Sequence, residues 1–211
     1  NMGDVEEFSG SAPIGAWSTD ASLNTARAYA GGAGTLTSTL AFGGDLNKDQ
    51  TESYNGTAFS EVADLNLARG YGAGCGADNT SALMFGGENP SNPASNTTES
   101  WNGSAWTEVN NLNTGRQQLG GTGIATAALA FSGQPFTGAT ESWNGSSWTE
   151  VNDLNTTRRF AAGSGIYTSA LATSGNTPPN SVTGKTESWN GSSWTEVNDL
   201  NTAREQVAVP L

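Results

Sequence analysis

Apolar and polar positions follow one another in short runs along this chain, and no window carries helical periodicity over a useful length. The runs come in sets of four. In the best-defined set, Gly70–Gly76 is small and glycine-rich, and Ser81–Gly87 is apolar and ends in glycine. A third run carries Glu99 and Trp101 two apart, and a fourth extends from Trp106 to Leu112. Residues two apart on a strand share a face, so Leu83 and Phe85 point the same way, as do Glu99 and Trp101. Asn-Gly separates the third and fourth runs at Asn55, Asn102, Asn144 and Asn190. That dipeptide predicts type I′ hairpins, which need positive φ at both central residues.

The sets repeat. Residues 140–156 and 186–202 both read TESWNGSSWTEVNDLNT, residues 98–114 differ from them at two positions, and residues 51–67 are a looser copy. Trp17, Phe59, Trp106, Trp148 and Trp194 mark one register, and Arg27, Arg69, Arg116, Arg158 and Arg204 mark another. Both series step by 42, 47, 42 and 46 residues. Periods of this size with four strands per unit predict the blades of a β-propeller. The expected fold is all-β: one domain over 1–211 with blades near 27–66, 69–113, 116–155 and 158–201. A fifth blade is split between 1–24 and 204–211, so N- and C-terminal strands close the ring and remove open sheet edges. That blade is one strand short. Val5–Phe8 supplies its third strand, or Phe8–Gly10 is the tail of a second strand with the third deleted, or a neighbouring chain or further sequence completes it.

The glycine-rich first runs fit the crowded centre of such a ring, and the tryptophans fit the wider gaps further out. The order Arg69, Gly86-Gly87, Glu99-Ser-Trp101, Trp106, Leu112 resembles the kelch repeat of β-propellers, and the resemblance covers essentially the whole chain. It departs from the kelch pattern at Ser132-Gly133 and Ser174-Gly175, and in using Asn-Gly turns. The near-identical units are also similar to repeats of phage-like and marine environmental sequences, which carries little about activity. An extracellular or virion-associated setting is favoured on this resemblance.

Composition narrows the functional classes. The net charge is −12 with two lysines, Lys48 and Lys185, which argues against nucleic-acid binding, since that affinity rests on cationic contacts. No run is long enough to span a bilayer as a helix, so membrane insertion is not expected. There is no histidine, which removes the commonest general base and zinc ligand and disfavours the copper-oxidase branch of kelch propellers. No cofactor and no metal are expected. The single Cys75 falls in a first run and reads as a small buried residue. Glycosidase chemistry needs non-equivalent acids converging on one point. Here the acids repeat, as Glu52, Glu99, Glu141, Glu187 and as Glu61, Glu108, Glu150, Glu196, so an enzyme is not expected. The Asn-Gly-Ser/Thr triplets match the glycosylation sequon, but hairpin turns explain them.

The expected function is therefore a non-catalytic binding module for a glycan or protein. The alternative is a structural or assembly domain of a virion or larger surface protein, oligomerising through the incomplete blade. Loops on a rigid scaffold carry binding. Those after the glycine pair, 45–50, 88–97, 134–139 and 176–185, vary while the strands do not. They share a face with the five arginines, so the candidate ligand residues are Arg27, Arg69, Arg116, Arg158 and Arg204, with Asp45, Asn47, Glu88, Asn89, Asn92, Gln134, Phe136, Asn176 and Asn180. The competing reading of the arginines is structural, each paired with a repeat glutamate, since a buried charge needs a partner.

Overall fold

The computed structural model describes residues 6–9, 16–19, 21–44 and 48–205. Among them there is no helix, and the chain is all-β. A hairpin of β1 (Glu6–Ser9) and β2 (Ala16–Thr19) precedes four antiparallel four-stranded sheets. Sheet one is β3 (Gly31–Thr35), β4 (Ser38–Phe42), β5 (Thr51–Tyr54) and β6 (Phe59–Val62). Sheet two is β7 (Ala73–Asp78), β8 (Ser81–Phe85), β9 (Thr98–Trp101) and β10 (Trp106–Val109). Sheet three is β11 (Gly120–Ile124), β12 (Ala127–Phe131), β13 (Thr140–Trp143) and β14 (Trp148–Val151). Sheet four begins with β15 (Ala162–Ile166) and β16 (Ser169–Thr173). A small hairpin of β17 (Asn176–Thr177) and β18 (Ser181–Val182) follows, and β19 (Thr186–Trp189) and β20 (Trp194–Val197) complete the sheet.

Strands run in sequence order within each sheet, so neighbours pair as local meanders. The ends differ from the apolar pattern for identifiable reasons. The fourth strand of sheet two stops at Val109, not Leu112: Asn111 Oδ1 turns back to accept the Thr98 N–H at 2.8 Å, and the Leu112 N–H goes to Asn96 O at 2.9 Å. The first strand starts at Ala73, not Gly70, because Tyr71 has φ of 57° and interrupts the extended chain.

The first strands lie side by side in chain order, β3 beside β7, β7 beside β11, β11 beside β15. A core cluster fills each gap between successive sheets. Alternation on β8 sends Leu83 and Phe85 toward sheet three, and Ala82 and Met84 toward sheet one. Both faces of a middle sheet are thus apolar, and each fully buried Leu or Phe is worth roughly 1.5–3 kcal/mol. Further out, the fourth-strand tryptophans close the gaps. Trp106 lies edge-on to Phe42 with centroids 4.9 Å apart, Trp194 edge-on to Phe131 at 5.2 Å, and Trp148 tilted against Phe85 at 4.9 Å. Each indole N–H donates across the gap to a threonine of the preceding sheet: Trp106 to Thr51 at 2.9 Å, Trp148 to Thr98 and Trp194 to Thr140 at 3.1 Å. Nearer the first strands the same phenylalanines demand glycine opposite. A Cβ on Gly74 would sit 2.6 Å from Phe42 Cζ and 2.9 Å from the Gly32 carbonyl oxygen.

The Asn-Gly hairpins are not type I′. Trp143 pairs with Trp148, leaving a four-residue loop in which Gly145 alone has positive φ, 93°. Asn144 stays outside the left-handed region and uses its side chain: Oδ1 accepts the N–H groups of Ser146 and Ser147, each at 2.9 Å. The Asx cap replaces the second left-handed residue. The loops at Asn55, Asn102 and Asn190 are built the same way.

Candidate functional site

Four of the five repeat arginines lie inside the protein. Arg69 and Arg158 are fully buried, Arg116 is 1% exposed and Arg27 is 6% exposed. Each reaches a glutamate on the third strand of the following sheet. Arg27 pairs with Glu52, Arg69 with Glu99 at 2.5 Å, Arg116 with Glu141 at 3.1 Å and Arg158 with Glu187 at 3.0 Å. The glutamate also caps backbone. Glu141 Oε2 accepts the Asn113 N–H at 2.7 Å and Asn113 Nδ2 at 2.8 Å, and the asparagine amide goes on to Trp148 O at 3.2 Å. Burial pulls the pKa of Arg69, Arg116 and Arg158 below the usual arginine value, and the charges of Glu99, Glu141 and Glu187 oppose the fall. These side chains tie one sheet to the next and are closed to a ligand. Arg204 differs: it is exposed, and its Nε donates to Thr202 O at 3.3 Å.

The loop candidates divide. Asp45 and Asn47 lie outside the described residues. Glu88 exchanges backbone hydrogen bonds with Gly70. Asn89 and Asn92 cap their own turn, Asn89 Oδ1 accepting from Ser91 N at 2.9 Å and Asn92 Oδ1 from Ala94 N at 3.0 Å. Asn176 is buried and donates to Glu205. Gln134, Phe136 and Asn180, in contrast, come together around Arg159, a residue the repeat pattern does not single out. Arg159 Nη2 donates to Asn180 Oδ1 at 2.9 Å and Nη1 to Gln134 Oε1 at 3.4 Å. Its guanidinium carbon lies 5.1 Å from the Phe136 ring centre and 5.4 Å from that of Phe160.

Phe160 belongs to a second group that sequence reasoning missed. Tyr29, Tyr71, Gln118 and Phe160 each stand two residues after a repeat arginine, and all have φ of 56–57°. A bulky residue rarely adopts that conformation. Here it turns the backbone toward the neighbouring sheet. Tyr71 N–H donates to Tyr29 O at 3.1 Å, Gln118 N–H to Tyr71 O at 2.7 Å and Phe160 N–H to Gln118 O at 2.7 Å. The three aromatic side chains gather. Tyr29 and Tyr71 stack at 3.9 Å between centroids, and Tyr71 and Phe160 are 6.3 Å apart although sheet three lies between their sheets. The signal in the sequence is modest: this position reads Tyr, Tyr, Gln, Phe within otherwise regular units.

At the other end of the first strands, Leu36, Ala77, Ile124 and Ile166 and a set of glycines line a cavity of about 350 Å³. An open groove of about 720 Å³ runs over Glu108, Asn110, Trp143 and Ser146 at the outer edge between sheets two and three. Cys75 is fully buried, and burial pushes its thiol up to about 12, so it is unreactive near neutral pH. Among the described residues no three His, Cys, Asp or Glu side chains gather in a metal-binding group. Among the described residues no helix is long and apolar enough to cross a membrane.

The arrangement can offer a ligand aromatic faces, amide groups and one guanidinium. No protein-family model matches this chain, and no curated protein matches it.

Proposed function

We propose that this chain is a non-catalytic recognition module, a closed five-bladed propeller of kelch-like blades that binds saccharide over the aromatic end of its axis. The approach of Tyr71 to Phe160 across an intervening sheet supports sheets turning about one axis. The two end sheets support closure, because each leaves an apolar face uncovered. Leu171 is 41% exposed where Leu40, Leu83 and Leu129, at the same position, are 0% exposed. Ala41 is half-buried where Met84, Ala130 and Ala172 are fully buried. The chain also holds the pieces that would fill this gap. Phe8 stands opposite Trp17 as Trp143 stands opposite Trp148, which puts Glu6 at the position of the arginine-binding glutamates. This register favours β1 as the third strand of the split blade.

The gathering of Tyr29, Tyr71 and Phe160 beside Arg159, Gln134 and Asn180 carries the functional reading. Aromatic faces suit the C–H faces of a pyranose ring, and planar amide and guanidinium groups suit its hydroxyls. The acids support a role other than catalysis. Glu52, Glu99, Glu141 and Glu187 are engaged with arginines, and Glu61, Glu108, Glu150 and Glu196 project from the outermost strands.

The test is a saccharide array followed by saturation-transfer NMR on the wild type and on Tyr71→Asn, a residue that tolerates the left-handed conformation. Saturation should transfer from Tyr29, Tyr71 and Phe160, and Tyr71→Asn should weaken binding about three- to tenfold, the worth of one aromatic contact. No binding at millimolar saccharide would overturn the reading. The uncovered face of sheet four favours a second one, assembly between chains through Leu171. Light scattering decides it, since a monomer at all concentrations rules that assembly out.

A further inference from the structure

Resting on the saccharide reading above, one feature of the same face specifies the ligand further. Among the described residues, Arg27, Arg69, Arg116, Arg158 and Lys185 each have a carboxylate partner. Arg159 does not. Its hydrogen-bond acceptors are the neutral amide oxygens of Gln134 and Asn180, and its guanidinium carbon stands over the rings of Phe136 and Phe160. Its Nε is buried without a hydrogen-bond partner. Amide oxygens and ring faces fix a guanidinium in place and leave its full charge to act outward. In a protein of net charge −12, a cation held this way is set apart from the buried ion pairs of the repeat.

The placement of the charge completes the case. Phe160 is at once a cation–π neighbour of Arg159 and a member of the aromatic group with Tyr71. A ring stacked on that group therefore lies next to a guanidinium. We propose that the site selects an acidic saccharide, a pyranose bearing a carboxylate or a sulfate ester, with the ring over the aromatic residues and the anionic substituent on Arg159. Arginine's fork of donors matches either oxyanion, and a charge-assisted hydrogen bond is about twice as strong as a neutral one.

Titration calorimetry of the full chain with methyl glucuronide, methyl glucoside and methyl glucoside 6-sulfate tests this. The acidic sugars should bind roughly ten- to hundredfold more tightly than the neutral one. In Arg159→Gln that preference should vanish, so that the acidic and neutral sugars bind alike. The wild type alone gives a second readout that needs no variant. Raising ionic strength from about 0.01 M to about 1 M shortens the Debye length from roughly 30 to 3 Å, so the preference should shrink while neutral binding holds. Equal binding of acidic and neutral sugars overturns the acidic preference and leaves the saccharide reading standing. A preference that survives both Arg159→Gln and high salt overturns the role of Arg159. No binding of any of the three sugars overturns both readings.

Discussion

At the scale of single residues, the buried arginines show how a charge is kept inside a small β protein. Arg116 loses its hydration, and Glu141 answers with an ion pair at 3.1 Å. Elsewhere a buried ion pair can often be exchanged for apolar residues at little cost. That exchange is blocked here, because Glu141 also receives the N–H groups of Asn113 and Thr114. An apolar pair would take the carboxylate acceptor away from both backbone donors. Glu141→Gln should therefore destabilise the protein by about 3–5 kcal/mol, the cost of leaving a buried charge without its partner. Replacing Glu150, which pairs across the strand but is exposed, should change stability by less than about 0.5 kcal/mol. Urea unfolding of the two variants measures both. Similar losses in the two would mean that the ion pair is not what distinguishes Glu141.

At the scale of elements, the hairpin between β13 and β14 separates two turn chemistries with the same dipeptide. A type I′ turn would gain from glycine in place of Asn144, because both central residues would be left-handed. In the observed loop Asn144 has ordinary φ, and its side chain accepts two backbone N–H groups. Asn144→Gly should then cost about 0.5–2 kcal/mol, the range for losing a side-chain cap. Gly145→Ala should cost about 1–2 kcal/mol for placing a Cβ at φ of 93°. The denaturation midpoints measure both, and a more stable Asn144→Gly protein would restore the I′ turn. The example shows where sequence legibility stops. The four strands of each unit were legible because their apolar runs and turn residues recur at fixed offsets. That arginine and glutamate recur together was legible too, since equal numbers of opposite charges invite pairing. Which glutamate each arginine takes was not, because Glu52 and Glu99 are chemically alike and only the offset between sheets assigns Arg69 to Glu99. The left-handed Tyr29, Tyr71, Gln118 and Phe160 were illegible, because hydrogen bonds between sheets impose that conformation and their side chains give no sign of it. Arg159 escaped notice because it follows a repeat arginine and has no counterpart in the other units.

At the scale of the whole molecule, the spacing of large and small residues makes the proposed ring closure testable at sheet four. Phe42 packs over Gly74, Phe85 over Gly121 and Phe131 over Gly163, each a second-strand ring against a first-strand glycine of the next sheet. In sheet four the second-strand position is Thr173, paired with Ala162 as Phe131 is paired with Gly120. Counting from the arginines, the first-strand position that would follow is Val209, beyond the described residues. A large-on-small contact used three times thus becomes, in sequence, a medium residue opposite a medium residue. That compensation is expected of a closed ring in which the chain's own end supplies the next first strand. Thr173→Phe would then overpack the contact and cost about 1–3 kcal/mol. Val209→Gly would lose packing and backbone order, with a loss of similar size. Together the two substitutions recreate the contact seen between the other sheets, so the double variant should recover about 0.5–3 kcal/mol relative to the sum of the singles. A double-mutant cycle in urea reads this coupling, and a midpoint independent of protein concentration shows that it arises within one chain. If no ring closes, Thr173 faces solvent, Thr173→Phe is nearly neutral and the coupling is zero. A coupling that appears only as concentration rises would assign the fifth blade to a neighbouring chain.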